Sequence, residues 1–167
     1  EALKRLEDNP PPLVSAMGVT DGNATELPIF VRGDHNTPGK STQPRGFPQV
    51  LSDGKPLVGK ASGRLALSKW IADRKNPLTA RVMVNRVWRW HFGRGLVGSS
   101  SNFGLAGDKP SHPALLDWLT VQFIKNGWSL KWLHRQIISS AAYQASSTHH
   151  TDNANVDADN RLLWQFN

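Results

Sequence analysis

Hydrophobic residues recur at intervals of three and four along most of the second half of the chain, which is the spacing of an amphipathic helix. The predicted helices run from about Gly63 to Asp73, Pro77 to Phe92, Pro113 to Lys125 and Leu130 to Ala145, with a last turn around Leu162 to Trp164. The pattern therefore predicts a mainly α-helical fold, with four to five short helices packed in an orthogonal array.

Polar residues and glycines mark the predicted helix ends. Ser62, Asn76 and Ser129 precede hydrophobic runs and suit N-cap positions, where a side-chain oxygen accepts a hydrogen bond from a free backbone N–H. Asn126-Gly127 follows the third predicted helix and suits a left-handed C-cap, because glycine adopts a positive φ without steric cost. These signals separate the predicted helices from one another.

Each predicted helix carries one stripe of residues that we expect to be buried. In chain order the stripes are Leu65, Ala66, Trp70 and Ile71; Ala80, Val84, Val87 and His91, with Met83 and Trp88 beside them; Leu115, Leu116, Leu119 and Phe123; and Leu130, Leu133, Ile137 and Ala141. Because every stripe needs apolar partners, the sequence predicts that the four helices share one core.

Residues 1–59 follow a different pattern, rich in proline and glycine, and predict a linker or extended arm from a preceding domain. Within them, residues 1–9 predict the end of a helix and Leu27–Val31 predicts a short strand followed by turns. Residues 60–167 then form the helical domain, in which the polar stretch 146–159 is expected to be a loop. The chain opens without methionine and closes just after an apolar cluster, so we expect a piece of a longer polypeptide.

The formal net charge of +7 is concentrated in one third of the chain. Residues 61–111 hold nine lysines and arginines against two acidic residues, which gives a net charge of +7. The stretches 1–60 and 112–167 each balance, with seven against seven and four against four. A field of this kind attracts acidic partners. The alternative is that the arginines are solvated or paired with acids elsewhere in the fold.

Composition excludes several kinds of site. The chain has no cysteine, which excludes disulfides, cysteine-metal sites, a cysteine nucleophile and covalent haem attachment within it. No run of about 18 apolar residues is present, so the sequence predicts no membrane span.

The segment from Asn76 to Val97 contains the candidate binding residues. Guanidinium groups bind carboxylates and sulfates through two parallel hydrogen bonds, and an adjacent tryptophan suits stacking on a sugar or a base. We expect the partner-binding residues to be Arg81, Asn85, Arg86, Arg89, Trp90 and Arg94. Arg81, Asn85 and Arg89 are spaced four apart and are expected to share a helix face. The alternative for Asn85 and Arg86 is structural: they bond backbone carbonyls and lock the following loop.

Histidines and serines give no supported catalytic or metal site. No nucleophile motif surrounds the serines, and neither an HExxH motif nor a pair of histidines four apart is present, so we predict no catalytic residue and no metal site. The histidines considered are His91, His112, His134 and the pair His149-His150 near Asp152.

Of the seven tryptophans, we expect Trp90 and Trp132 at the surface and the others in the packing between helices.

Three blocks of the chain resemble the planctomycete-specific PSD1 domain, also known as DUF1553, a domain of unknown function. They are SGRLALSKWIADRKNPLTARVMVNRVWRWHFGRGLV (62–97), SHPALLDWLTVQFIKNGWSLKWLHRQIISSAAYQASS (111–147) and DADNRLLWQF (157–166). The segment FVRGDHNTPGKSTQPRGFP (30–48) is similar to the connector that leads into this domain. The resemblance implies that residues 60–167 are the N-terminal part of such a domain, which in the family continues into further helices.

The resemblance also implies a cellular context. Such domains usually lie in large exported proteins, often with a cytochrome-c-like module, so covalent haem is expected in that module and no cofactor in this chain. The leading hypothesis is a non-catalytic interaction module that docks an acidic partner, most simply another module of the same polypeptide. The alternatives are binding of an acidic or sulfated polysaccharide, and part of an enzyme active site completed by residues outside this chain. Export argues against nucleic acid as the partner.

Overall fold

The computed structural model describes residue 4 and residues 16–21, 24–57 and 61–166. This part of the chain contains two short strands and five helices. They are β1 (Pro28–Phe30), β2 (Pro38–Thr42), α1 (Arg64–Ile71), α2 (Thr79–Phe92), α3 (Pro113–Lys125), α4 (Leu130–Ile138) and α5 (Thr151–Val156). The prediction of a mainly helical fold with short helices is confirmed. The predicted helix end within residues 1–9 lies outside the described residues, apart from Lys4. No helix of the described residues is long and apolar enough to cross a membrane.

The core lies between α2, α3 and α4, which pack against one another. The predicted stripes of α2, α3 and α4 supply it, although Leu130 and Ala141 at the two ends of the α4 stripe are exposed. The buried apolar residues are Ala80, Val84, Val87, Trp88, Phe92, Leu96, Val97, Leu116, Leu119, Phe123, Leu133 and Ile137. Since α2 contacts both other helices, it buries a wider arc of its surface than a helix with one neighbour.

Helix α1 does not join this core, which corrects the prediction. It has no buried residue, and Leu65 and Ile71 are 67% and 44% exposed. The ring of Trp70 stacks instead on Phe47 of the N-terminal arm, with the ring centroids 4.7 Å apart. Helix α1 thus contacts the arm through Trp70 and contributes no buried residue to the core of the bundle.

The predicted N-cap side chains of Asn76 and Ser129 accept backbone hydrogen bonds, although only Ser129 directly precedes its helix. Asn76 Oδ1 accepts hydrogen bonds from the backbone N–H of Leu78 and Thr79 at 3.0 and 3.3 Å, although α2 itself begins at Thr79 rather than Pro77. Ser129 Oγ accepts from the backbone N–H of Trp132 at 3.2 Å and caps α4. At α1 the prediction shifts by one residue: Gly63 is the N-cap, with a φ of 83°.

The C-terminus of α3 ends in the predicted left-handed turn. Gly127 has a φ of 68°, and its N–H donates to the carbonyl of Ile124 at 3.1 Å. The N–H of Trp128 donates to the carbonyl of Phe123 at 3.0 Å, which completes a Schellman motif. The rings of Phe123 and Trp128 meet edge to face at 5.4 Å, so the turn also contributes to the core.

Helix α4 ends at Ile138, seven residues before the predicted end at Ala145. The hydroxyl of Ser140 donates to the carbonyl of Ile137 at 2.6 Å and accepts from the N–H of Tyr143 at 3.2 Å. These bonds replace the next helical turn, because a serine side chain competes with the backbone for hydrogen-bonding groups. Ala141, predicted in the core, is exposed as a result.

The C-terminal part of the described chain differs from prediction in two places. Residues 146–159, predicted as a loop, contain the short helix α5. The predicted last helical turn is instead a set of turns held by Asp157, whose carboxylate accepts from the N–H of Arg161 at 3.0 Å and of Leu162 at 2.7 Å. Asn160 Nδ2 donates to the carbonyl of Gln165 at 2.8 Å and closes this segment.

The N-terminal arm forms a small antiparallel hairpin of β1 and β2. The sequence predicted β1 but not β2, because Pro38-Gly39 at the start of β2 is typical of a turn. Further along, Arg45 contacts the side chain of Glu26 at 3.3 Å and donates to the carbonyl of Ala61 at 2.8 Å. These contacts connect the arm to the start of the helical part.

Asp21 of the arm contacts Ser62 and Arg64 at the start of α1, which is a second contact between the arm and the helical part. The strength of this contact is expected to depend on pH. The hydroxyl of Ser62 donates to Asp21 at 2.6 Å and the guanidinium of Arg64 donates to it at 2.8 Å; they lower the pKa of Asp21 from 3.8 to about 2. Because the folded pKa is depressed, the stabilising contact is present above pH 3.8 and is lost as the pH falls through about 2. We expect Ser62→Ala to raise the Asp21 titration midpoint, followed by carboxyl-carbon NMR, toward 3.8.

The control for this titration is Ser68→Ala. Ser68 lies on the same helix, but its hydroxyl donates to the carbonyl of Leu65 at 2.9 Å and not to a carboxylate. An equal midpoint for Asp21 in the Ser62→Ala variant and in the unmodified chain would contradict the assignment.

Candidate interaction site

Three of the predicted binding residues share one exposed face of α2. Arg86, Arg89 and Trp90 are spaced at i, i+3 and i+4, so their side chains are neighbours on the helix surface. Trp90 is 67% exposed, and both arginines are exposed. Neither guanidinium group makes a hydrogen bond or an ion pair with the described part of the chain. We call these three residues the basic face.

Arg81 lies outside the basic face because it is already paired. Its Nε and Nη2 donate to Asp117 Oδ1 of α3 at 3.0 and 2.7 Å, and its Nη1 donates to the carbonyl of Pro77 at 2.8 Å. Arg81 therefore ties α2 to α3, and it is the one predicted binding arginine that the described residues neutralise.

Asn85 is fully buried, so the prediction that it shares an exposed face with Arg81 and Arg89 is wrong. Its Nδ2 donates to the carbonyl of Val97 at 3.0 Å, and its Oδ1 accepts from the N–H of Val97 at 2.8 Å. The structural alternative for Asn85, that it locks the following loop, is the correct one. A Cβ on Gly95 would lie 2.7 Å from the Asn85 amide, so this loop packs directly on it.

Arg94 follows α2, after a turn at Gly93 with a φ of 73°, and is exposed. It lines a narrow recess of about 30 Å³, whose other charged residues come from two further segments and are Asp108, Lys109, Asp159 and Arg161. No ion pair within 4.0 Å joins these five side chains. The recess therefore mixes three basic and two acidic side chains.

Most of the positive charge of residues 61–111 is not neutralised within the described structure. Of the nine lysines and arginines there, Arg64 pairs with Asp21 and Arg81 pairs with Asp117. The other seven form no ion pair with described residues. Pairing within the fold therefore accounts for a minority of the charge, and the remainder faces solvent.

The tryptophans divide differently from the prediction. Trp90 is exposed as expected, whereas Trp132 is half-buried against the core. Trp118 of α3 is 50% exposed, although its position next to a run of leucines predicted packing. It lines an apolar groove of about 680 Å³ between α3, α4 and the turns around Leu162.

The structure brings together two histidines that the sequence keeps apart. His91 Nε2 of α2 and His134 Nδ1 of α4 are 2.7 Å apart. Burial lowers the pKa of His91 below its ordinary value, and the charge of a protonated His134 lowers it further. The two residues are 43 positions apart, so only the packing of α2 on α4 reveals the pair. The described residues contain no group of three or more metal-ligating side chains.

The other histidines occupy separate surroundings. His112 is the N-cap residue of α3, but its side chain caps no backbone group; its Nδ1 lies 3.0 Å from Ser111 Oγ instead. The ring of His149 packs edge to face on Trp164 at 6.0 Å. Neither arrangement adds a ligand to the pair of His91 and His134.

Comparison with known families identifies the helical part. Residues 63–167 match the model of PSD1, described as a protein of unknown function (DUF1553). The chain belongs to the PSD1 family. The match spans α1 to α5 and includes the basic face, whereas the hairpin of the arm lies outside it. No curated protein and no solved structure matches this PSD1 chain.

Proposed function

We propose that this PSD1 domain is a non-catalytic interaction module that binds an acidic partner through the basic face and Arg94. The observation that carries the proposal is that Arg86 and Arg89 stand exposed beside Trp90 without an ion pair to any described residue. The resemblance to multidomain exported proteins supports another module of the same polypeptide as the partner.

The chemistry of these side chains favours carboxylate recognition. A guanidinium group binds a carboxylate through two parallel hydrogen bonds, and arginine and tryptophan are enriched where interfaces concentrate their binding energy. Arg86 and Arg89 have no internal ion pair to break before they bind a partner. Arg81 would first have to give up its ion pair with Asp117, which costs free energy. The proposed surface therefore centres on the basic face and excludes Arg81.

The test is a binding titration of the chain against immobilised polyglutamate at about 20 mM and about 200 mM salt, since screening weakens exposed charge pairs. We expect Arg86→Ala/Arg89→Ala to weaken binding at low salt by at least about tenfold, because two bidentate sites are removed. The unmodified chain should bind measurably more weakly at the higher salt concentration.

The matched control is Arg74→Ala/Lys75→Ala, which removes the same net charge from two exposed residues before α2. This variant should keep most of the affinity. Equal losses in the two double variants would show that net charge alone attracts the polymer, and the basic face would then not be the binding site.

A second candidate is an acidic or sulfated polysaccharide, favoured by the 67% exposure of Trp90 beside the two arginines. An exposed indole provides an apolar face for a sugar ring, which a carboxylate-bearing peptide does not require. Retention on immobilised heparin that falls in Trp90→Ala while polyglutamate binding is unchanged would favour the polysaccharide. The reverse pattern would favour the acidic protein.

A further inference from the structure

Two imidazole nitrogens converge where α2 crosses α4. His91 Nε2 and His134 Nδ1 are 2.7 Å apart, and the planes of the two rings differ by 68°. Both side chains are half-buried, so solvent reaches them. At this distance one nitrogen donates and the other accepts, so at least one of the two rings is neutral and presents a lone pair to its neighbour.

The spacing is close to that of two ligands on one metal ion. Zinc binds histidine nitrogen at about 2.0–2.1 Å, so two such ligands at a tetrahedral angle stand about 3.3 Å apart. The two nitrogens need to separate by roughly 0.6 Å from their present distance to reach that value. A separation of that size is within the reach of rotation about the side-chain bonds of the two histidines.

The surrounding packing sets the positions of both histidines. His91 lies one turn after the buried Val87, and His134 follows the buried Leu133, so the core sets the distance between their backbones. The ring of Tyr143 packs edge to face on His91 at 5.5 Å and restricts its orientation. The turn at Ser140 that ends α4 early is what places Tyr143 there.

We propose that His91 and His134 form a binding site for a first-row divalent transition-metal ion that prefers imidazole, such as Zn²⁺ or Cu²⁺. Imidazole suits these ions, whereas Mg²⁺ and Ca²⁺ require oxygen ligands. Because no third protein ligand is grouped with the pair among the described residues, water or an external donor completes the coordination. The site is thus open on one side, and its affinity rests on two imidazoles.

The test is calorimetric titration of the chain with Zn²⁺ alone, with thermal unfolding as a second measurement. A ligand that binds only the folded state raises the unfolding midpoint, so Zn²⁺ should stabilise the unmodified chain. We expect His91→Gln and His134→Gln each to lose at least about tenfold in affinity and to lose the shift in midpoint.

The chain offers a matched control in His149-His150, an exposed pair of histidines outside the proposed site. The variant His149→Ala/His150→Ala should bind Zn²⁺ as the unmodified chain does. The proposal is overturned if this variant abolishes binding, or if the unmodified chain does not bind Zn²⁺.

NMR of the imidazole protons in the unmodified chain tests the site without any substitution. Zn²⁺ should shift the signals of His91 and His134 first. Shifts confined to His149 and His150 would overturn the proposal and leave His91 and His134 as a hydrogen-bonded pair.

Discussion

Replacement of Leu133 with alanine is expected to lower the free energy of unfolding by about 2–5 kcal/mol, which is the cost of removing a leucine from a packed core. Leu133 is fully buried on α4 and belongs to the cluster shared by the three core helices. The lost methyl groups leave a cavity that the neighbouring helices cannot fill, because their side chains are held by other contacts. Urea unfolding followed by circular dichroism measures the difference.

Leu130→Ala provides the control for this prediction. Leu130 lies three residues earlier on α4 and is 44% exposed, so the same chemical change removes less buried surface. It should cost about 1 kcal/mol or less. Equal costs at the two positions would mean that α4 is not docked on α2 and α3 as the structure describes.

Periodicity alone predicts α2, α3 and most of α4, because each of them buries a stripe against the others. It does not reveal which helices share the core. Leu65 and Ile71 of α1 have the same spacing as buried residues, yet α1 packs on the arm through Trp70. The early end of α4 is also hidden from periodicity, since it depends on a hydroxyl of Ser140 that bonds the backbone. Local hydrogen bonding decided the boundary there.

The basic face was predictable in part, and the error at Asn85 has a geometric cause. Residues four apart on an α-helix drift by about 40° per step, so three positions over eight residues do not stay on one narrow face. Helix α2 also packs against two neighbours, so its buried arc reaches Asn85 and its exposed arc is left to Arg86, Arg89 and Trp90. The neighbours of a helix, which its own sequence does not state, set that boundary.

The contact between His91 and His134 was outside the reach of sequence patterns. Metal and catalytic motifs are recognised by short spacings on one element, whereas these residues lie on two helices and 43 positions apart. The stripe that contains Val84, Val87 and His91 does show that His91 faces the bundle. It does not show which side chain of α4 it meets.

Asn85→Ala is expected to lower the free energy of unfolding by about 2–6 kcal/mol, because it removes both hydrogen bonds to the backbone of Val97 at once. Val97 is 2% exposed, so its N–H and C=O cannot turn to bulk water without opening the loop. Each unsatisfied buried group costs about 1–3 kcal/mol, and a lost bond to a surface carbonyl costs much less. Urea unfolding measures the loss of stability. In the same variant, hydrogen exchange of the Val97 amide should be markedly faster.

The contrast with Asn126→Ala isolates burial as the cause. Asn126 also donates its side-chain amide to a backbone carbonyl, that of Gln122 at 2.8 Å, but the bond is exposed and water can replace it. This variant should cost about 1 kcal/mol or less. If Asn85→Ala were equally mild, the loop after α2 would not depend on Asn85. A large loss of stability in Asn85→Ala, with faster exchange of the Val97 amide that Asn126→Ala does not cause, would mean that the buried amide holds the loop from which Arg94 projects.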